Sequence, residues 1–225
     1  MAGRDKVQVR NICHLTFLML IVSVSSRIGC VDAHGSMTML DLPPIEIQQA
    51  PSCEIQVPDD GQYQYAQLHA SMFQSQQTTP LPDMTKHWMV VCDAPTTVIL
   101  EVHDLQKNSA PANDSTRFGL GTVNNIGKLG HYQIALKNAE VDSQKVNFYE
   151  TNDTAVVGAL SSQYLISSDK AYGWAGNDHK RSSGMVFSAD ITVSPVLNSL
   201  QSTNGPLVSG AELNGQAEMI FSFGI

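Results

Sequence analysis

The side chains that could perform chemistry in this chain are not spaced as a catalytic or metal site requires. The seven histidines form no HxH, HxxxH or HExxH pattern, which would place two metal ligands on one face. The pairs His103-Asp104 and Asp178-His179 are adjacent, so their side chains would point to opposite faces of a strand. We therefore predict no metal site and no cofactor.

The glycine-rich and serine-rich segments also lack the context of an active site. Gly119-Leu120-Gly121 leads into the strand pattern Tyr132–Leu136 rather than into a helix N-terminus, so its glycines indicate turns and not a phosphate loop. No Gly-x-Ser-x-Gly nucleophile elbow occurs. We predict that the protein is not an enzyme and has no catalytic residue. A secreted β-sandwich hydrolase stays open as a third alternative, without a specific motif.

Residues 1–33 have the features of a secretory signal peptide. A basic start precedes the uncharged apolar stretch Leu15–Val24, and Val31 and Ala33 occupy the −3 and −1 positions of a cleavage site. The stretch is shorter than the roughly 20 apolar residues that span a bilayer. The prediction is export, with no membrane span after cleavage; an N-terminal membrane anchor or a lipoprotein at Cys30 is the alternative.

The charge of the remaining chain argues against two classes of partner. The full chain has 13 Lys and Arg and 21 Asp and Glu residues, of which the signal contains four and two. The remaining chain therefore has 9 basic and 19 acidic residues, a formal net charge of −10. Nucleic acid and anionic membrane both need a basic surface, so neither is expected as a partner.

Two cysteines, Cys53 and Cys92, remain after the signal is removed. In an oxidising compartment an isolated pair is most simply a disulfide, and a catalytic thiol pair more often has CxxC spacing. We predict a structural disulfide between Cys53 and Cys92.

The hydrophobic periodicity is that of β-strands. Tyr132–Leu136, Met185–Val193 and the segment from Ala217 to Ile225 alternate apolar and polar residues, and Val98–Val102 is a β-branched run. Turns are expected at Asp93-Ala94-Pro95, at Gly127–Gly130, at Asn204-Gly205-Pro206 and at Asn214-Gly215, and a short helix is possible within Tyr63–Gln77. The predicted fold is an all-β antiparallel sandwich.

Two longer stretches, Cys92–Asp104 and Phe118–Leu136, have a specific sequence that can be compared with known families. Together with Pro51-Ser52-Cys53 and the alternating C-terminus, they resemble a bacterial family of unknown-function domains described as β-fimbrial major subunits. The resemblance covers roughly residues 45–225. It implies a chaperone–usher fimbrial subunit with an incomplete immunoglobulin-like (pilin-type) sandwich, which lacks its last strand and is completed by a donor strand.

The resemblance implies three functional segments. Residues 34–50 would be an N-terminal extension and residues 51–225 the pilin-like domain, whose disulfide Cys53–Cys92 ties the first strand to its neighbour. The candidate donor residues of the extension are Leu40, Leu42, Ile45 and Ile47. The groove and the chaperone-binding strand would be lined by Ala217, Met219, Phe221, Phe223 and Ile225.

The partners implied by this resemblance are a periplasmic pilus chaperone, an outer-membrane usher and neighbouring fimbrial subunits. The protein would pass through the periplasm to a cell-surface fimbrium and serve in adhesion. The alternative is a binding module, either a tip adhesin or a secreted carbohydrate-binding β-sandwich. Its ligand surface would be Tyr172 and Trp174, because an aromatic side chain exposed in a glycine-rich loop can serve as a sugar platform.

Overall fold

In the computed structural model, which describes residues 51–153, 156–208 and 210–224, all pairing between strands is antiparallel. The strands are β1 (Cys53–Gln56), β2 (Thr79–Pro80), β3 (Met84–Asp104), β4 (Phe118–Gly119), β5 (Thr122–Val123), β6 (Gly127–Lys128), β7 (Gly130–Val141), β8 (Gln144–Lys145), β9 (Asn147–Thr151), β10 (Leu160–Ser161), β11 (Gln163–Leu165), β12 (Ala171–Ala175), β13 (Gly184–Leu197) and β14 (Ala217–Gly224). The all-β prediction is confirmed.

Helix is limited, within these ranges, to short 3-10 segments. They are Pro58–Gly61, Ala70–Met72, Lys107–Ser109 and Leu200–Thr203. The helix expected within Tyr63–Gln77 is therefore reduced to three residues. None of the described helices has the length and apolar character needed to cross a membrane.

Strand β3 belongs to two curled layers. Its first half pairs with β1 and β13, and that layer continues from β13 to β7 and β11. Its second half pairs with β14 and β12, and that layer continues from β12 to β9 and β10. A strand of 21 residues that changes layer needs a bend, because each layer follows its own twist.

We infer that the bend of β3 lies at Asp93-Ala94-Pro95, where pairing with β13 is interrupted and the sequence suggested a turn. The prediction of a turn was wrong, because the strand runs on through Pro95 to Asp104. Pairing with β13 is interrupted between Val91 and Thr96, so Pro95 lies where its missing N–H breaks no ladder bond.

The two layers enclose one main apolar core. Trp174 of β12 packs edge-on against Phe187 of β13, with ring centroids 5.9 Å apart, and its Nε1–H donates to the Ser188 carbonyl at 3.2 Å. Tyr63 lies outside the helical segments and strands, and its hydroxyl donates to the Ile191 carbonyl at 3.0 Å. That bond attaches the segment before β2 to β13 without a helix.

The predicted disulfide between Cys53 and Cys92 is confirmed. The two residues are directly opposite each other in the ladder between β1 and β3, with a sequence separation of 39. The short strand β1 is therefore joined to β3 both by a covalent bond and by backbone hydrogen bonds.

Replacing Cys53 and Cys92 together by Ser should lower the free energy of unfolding by about 4 kcal/mol, the chain-entropy value for a loop of about 40 residues. Urea unfolding followed by tryptophan fluorescence measures the change. Reduced wild-type protein is the control and should unfold at the same urea concentration as the variant. A variant as stable as the oxidised wild type would contradict the prediction.

A polar network lies on the outer side of the first layer. The Asp190 carboxylate accepts hydrogen bonds from His87 Nδ1 at 2.8 Å and from Asn138 Nδ2 at 2.6 Å, which joins β13 to β3 and β7. Partial burial raises the pKa of the Asp190 carboxyl, but these hydrogen bonds outweigh burial and hold the pKa below its ordinary value.

A lowered pKa in the folded state means that Asp190 stabilises the fold above the unfolded pKa of about 3.9, and that the contribution is lost as pH falls through the folded pKa. Asp190→Asn should therefore cost about 1 kcal/mol at neutral pH and less near pH 3, measured by urea unfolding. Asp60→Asn is the control, because Asp60 makes no ion pair or hydrogen bond within the described ranges. A difference between Asp190→Asn and wild type that is constant with pH would refute the assignment.

Candidate functional site

The residues that the sequence assigned to the C-terminal strand lie on one face of β14. Ala217 and Met219 are 1% and 3% exposed in the core, whereas Phe221 and Phe223 are only half-buried against it. Coverage of this face thus decreases towards the end of the strand. Ile225 lies outside the described residues.

Strand β1 shows the same incomplete coverage. Cys53 and Ile55, together with Val57 just after the strand, pack on the main core but are half-buried. Within the described ranges β1 and β14 each pair only with β3, so each has one edge without a ladder partner. An edge of this kind presents unpaired backbone N–H and C=O groups that another strand can pair with.

The two open-edged strands flank the same part of the interior. Ile55 is the register partner of Val90, and Phe221 is the register partner of Leu100. Val90, Leu100 and Phe221 line one apolar cavity between the layers. The cavity measures about 10 Å³, space for a single water at most. A partner would therefore bind along the strand edges and not inside the core.

The end of β14 is attached to the bend of β3. The Gly224 carbonyl accepts hydrogen bonds from Thr96 Oγ1 at 2.6 Å and from Thr97 Oγ1 at 3.3 Å, and Thr96 is fully buried. Sequence reasoning missed these threonines, because Thr96-Thr97 has the composition of an ordinary strand and its partner is more than 120 residues away.

The candidate donor residues Leu40, Leu42, Ile45 and Ile47 lie in residues 34–50, outside the described ranges. The signal peptide assigned to residues 1–33 lies outside them as well. Both assignments stay predictions from the sequence.

The proposed ligand surface at Tyr172 and Trp174 was wrong. These residues form the middle of strand β12 and are 0% and 4% exposed, so neither ring can stack on a ligand from solvent. The Ser167 backbone N–H donates to the Tyr172 hydroxyl at 2.7 Å, and burial raises the pKa of Tyr172 to about 12. Gly173 was interpreted as a loop residue. In the structure it makes room for the Tyr149 ring, because a Cβ at this position would lie only 2.5 Å from that ring.

The glycine-rich run has a structural role. A Cβ on Gly119 would lie 2.2 Å from both the Gln106 carbonyl oxygen and Ser109 Oγ, so only glycine fits there. The Gly119 N–H donates to Asp104 Oδ2 at 2.9 Å, and the Gly121 N–H donates to Ser109 Oγ at 2.9 Å. These contacts hold the loop of residues 105–117 against β4.

The described residues contain no group of three or more His, Cys, Asp or Glu side chains placed to hold a metal ion. His131, next to the glycine-rich run, is buried on β7. Burial lowers the pKa of His131, Arg117 lowers it further, and Asp114 opposes them.

Gly119→Ala should destabilise the protein by about 2 kcal/mol or more, because the added methyl group would overlap backbone and the loop would have to move. Thermal unfolding measures the effect. Gly176→Ala is the matched control, because its Cβ would meet only the far end of the exposed Asp178 side chain, with Oδ1 at 2.8 Å and the Asp178 backbone N at 4.0 Å, and that side chain can move aside. Equal melting temperatures for the two variants would show that the loop has room to adjust.

Comparison with known proteins adds no family: neither a scan against protein-family models nor a search of curated proteins returned a match for this chain.

Proposed function

We propose that this protein is a fimbrial subunit that polymerises by donor-strand complementation and catalyses no reaction. The observation that carries the proposal is the pair of strands β1 and β14, each with one edge unpaired in the described ranges and with half-buried apolar side chains facing the core. A donor strand adds backbone hydrogen bonds to such an edge and places alternate side chains over the uncovered core.

The physical need for a partner follows from the same residues. A half-covered row such as Ile55, Phe221 and Phe223 next to open ladder groups promotes edge-to-edge aggregation unless a strand covers it. In the proposed pathway a periplasmic chaperone supplies that strand after export, and an outer-membrane usher exchanges it for a segment of the next subunit. The fold would then be a pilin-type, immunoglobulin-like sandwich completed in trans.

The candidate donor is the segment of residues 34–50 from a neighbouring subunit. Its apolar residues Leu40 and Leu42 before Pro43-Pro44, and Ile45 and Ile47 after them, would lie over the half-buried face of β14 if the two prolines shift the alternation by one residue. Each donor residue that pairs with an open edge contributes about 1 kcal/mol through its hydrogen bond, so a strand as long as β14 can give stable assembly.

The proposal is tested by co-expressing the full chain with a tagged pilus chaperone in the periplasm and measuring how much of the chain co-purifies. Phe221→Arg with Phe223→Arg should reduce recovery by about tenfold or more, which corresponds to about 1.4 kcal/mol of lost binding.

Ser222→Arg is the matched control, because Ser222 lies between the two phenylalanines in sequence but on the exposed, opposite face of β14. It should co-purify as the wild type does. A wild-type chain that folds as a stable monomer without a chaperone, or equal recovery of all variants, would refute donor-strand complementation.

A further inference from the structure

A second surface of the protein is a polar cleft that belongs to neither open-edged strand. It has a volume of about 620 Å³ and lies between the loop of residues 107–117 and the turn at Ser168-Asp169, with Lys128 of β6 at its wall. This volume is within the range of about 300–1,000 Å³ that small-molecule sites occupy.

The walls of the polar cleft are held by hydrogen bonds made within the protein. Lys128 Nζ donates to the Ala110 carbonyl at 2.9 Å, and the Ser168 N–H donates to the Ser115 carbonyl at 2.8 Å. Asp104 anchors the base of the loop, because its carboxylate accepts from the Gly119 N–H. A ligand would thus meet a surface whose backbone is already positioned.

The charges of the polar cleft balance. Of the residues described, three carboxylates and three cationic side chains line it, namely Asp104, Asp114, Asp169, Lys107, Arg117 and Lys128. Arg117 Nε lies 2.9 Å from Asp114 Oδ2, so part of this charge is already paired. The full chain has a net charge of −8, which disfavours an anionic ligand further. An ionic ligand of either sign would find no excess of the opposite charge here.

Hydrogen-bonding groups remain available at the surface of the polar cleft. The exposed side chains of Lys107, Asn108 and Asn113 make no hydrogen bond within the described part of the chain. Hydrogen bonds from Thr116 and Ser167 hold the pKa of Asp114 and Asp169, respectively, below the ordinary value. Ammonium and amide donors therefore alternate with ionised acceptors.

We propose that the polar cleft binds a neutral, polyhydroxylated ligand, a mono- or disaccharide. A sugar hydroxyl donates and accepts at once, so it can bridge a carboxylate and an adjacent amide or ammonium group. Among the residues that the structure describes, no aromatic side chain lines the cleft. Stacking therefore adds nothing, and the dissociation constant should be about 1 mM. The proposal does not depend on donor-strand assembly.

The test uses the exported chain, alone or in the chaperone complex, with glucose, galactose, mannose, N-acetylglucosamine and lactose as probes. Saturation-transfer NMR detects the bound sugar, and a titration gives the dissociation constant. At least one probe should bind the wild type. The double variant Lys107→Ala/Asn108→Ala should weaken that binding by about tenfold or more.

The double variant Lys145→Ala/Asn152→Ala removes the same two residue types from exposed positions outside the polar cleft and should bind as the wild type does. Far-UV circular dichroism verifies that both variants fold. The proposal is overturned if none of the five sugars binds, if both variants bind equally well, or if citrate or spermidine competes for the cleft while the sugars do not.

Discussion

The ladder of β3 is the constraint on which the rest of the structure depends, because this strand is hydrogen-bonded in both layers. Its first half sets the position of β1 and β13, and its second half sets that of β12 and β14. The bend at Pro95 determines how one half faces the other. Because β1 and β14 each pair with β3 on one side only, they lie at the margins of their layers. The outer edge of each strand is therefore left without a ladder partner.

The loops outside the layers are shaped by close approach between backbones. Gly119 allows Ser109 and the rest of the segment before β4 to lie against β4. Asp142 ties the turn after β7 to β13 by accepting from the Met185 and Val186 N–H groups at 3.0 and 2.9 Å. These local attachments explain how long connections can form a cleft with a defined surface.

Strand type and the disulfide could be predicted from the sequence because they depend on local pattern. The alternation in Met185–Val193 and in Ala217–Phe223 marks β13 and β14, and the two cysteines outside the predicted signal peptide allow one pairing. Pro95 and Gly173 were misinterpreted because their usual meaning as turn residues was overruled by tertiary context. One lies at a gap in a ladder, and the other lies under the Tyr149 ring. Composition does not encode such partners.

The polar cleft could not have been found from the sequence either, since its groups come from four separate places in the chain. These are Asp104 at the end of β3, the loop after β3, strand β6, and the turn after β11. None of its residues belongs to a recognisable motif. Its wall forms only when the Ser115 backbone meets the Ser168 backbone, a contact between positions that are 53 residues apart. The strand edges, in contrast, were partly visible as the alternating C-terminus.

The position of the disulfide has a mechanical consequence. Cys53 is the first residue of β1 and is bonded to Cys92, just before the bend of β3. Tension applied to the chain at Ser52 would pass through a covalent bond into the longest strand and would not unzip β1 one hydrogen bond at a time. In a molecule pulled from this end, β3 would bear the force, and the molecule would extend only when the pairing of β3 with its neighbours breaks.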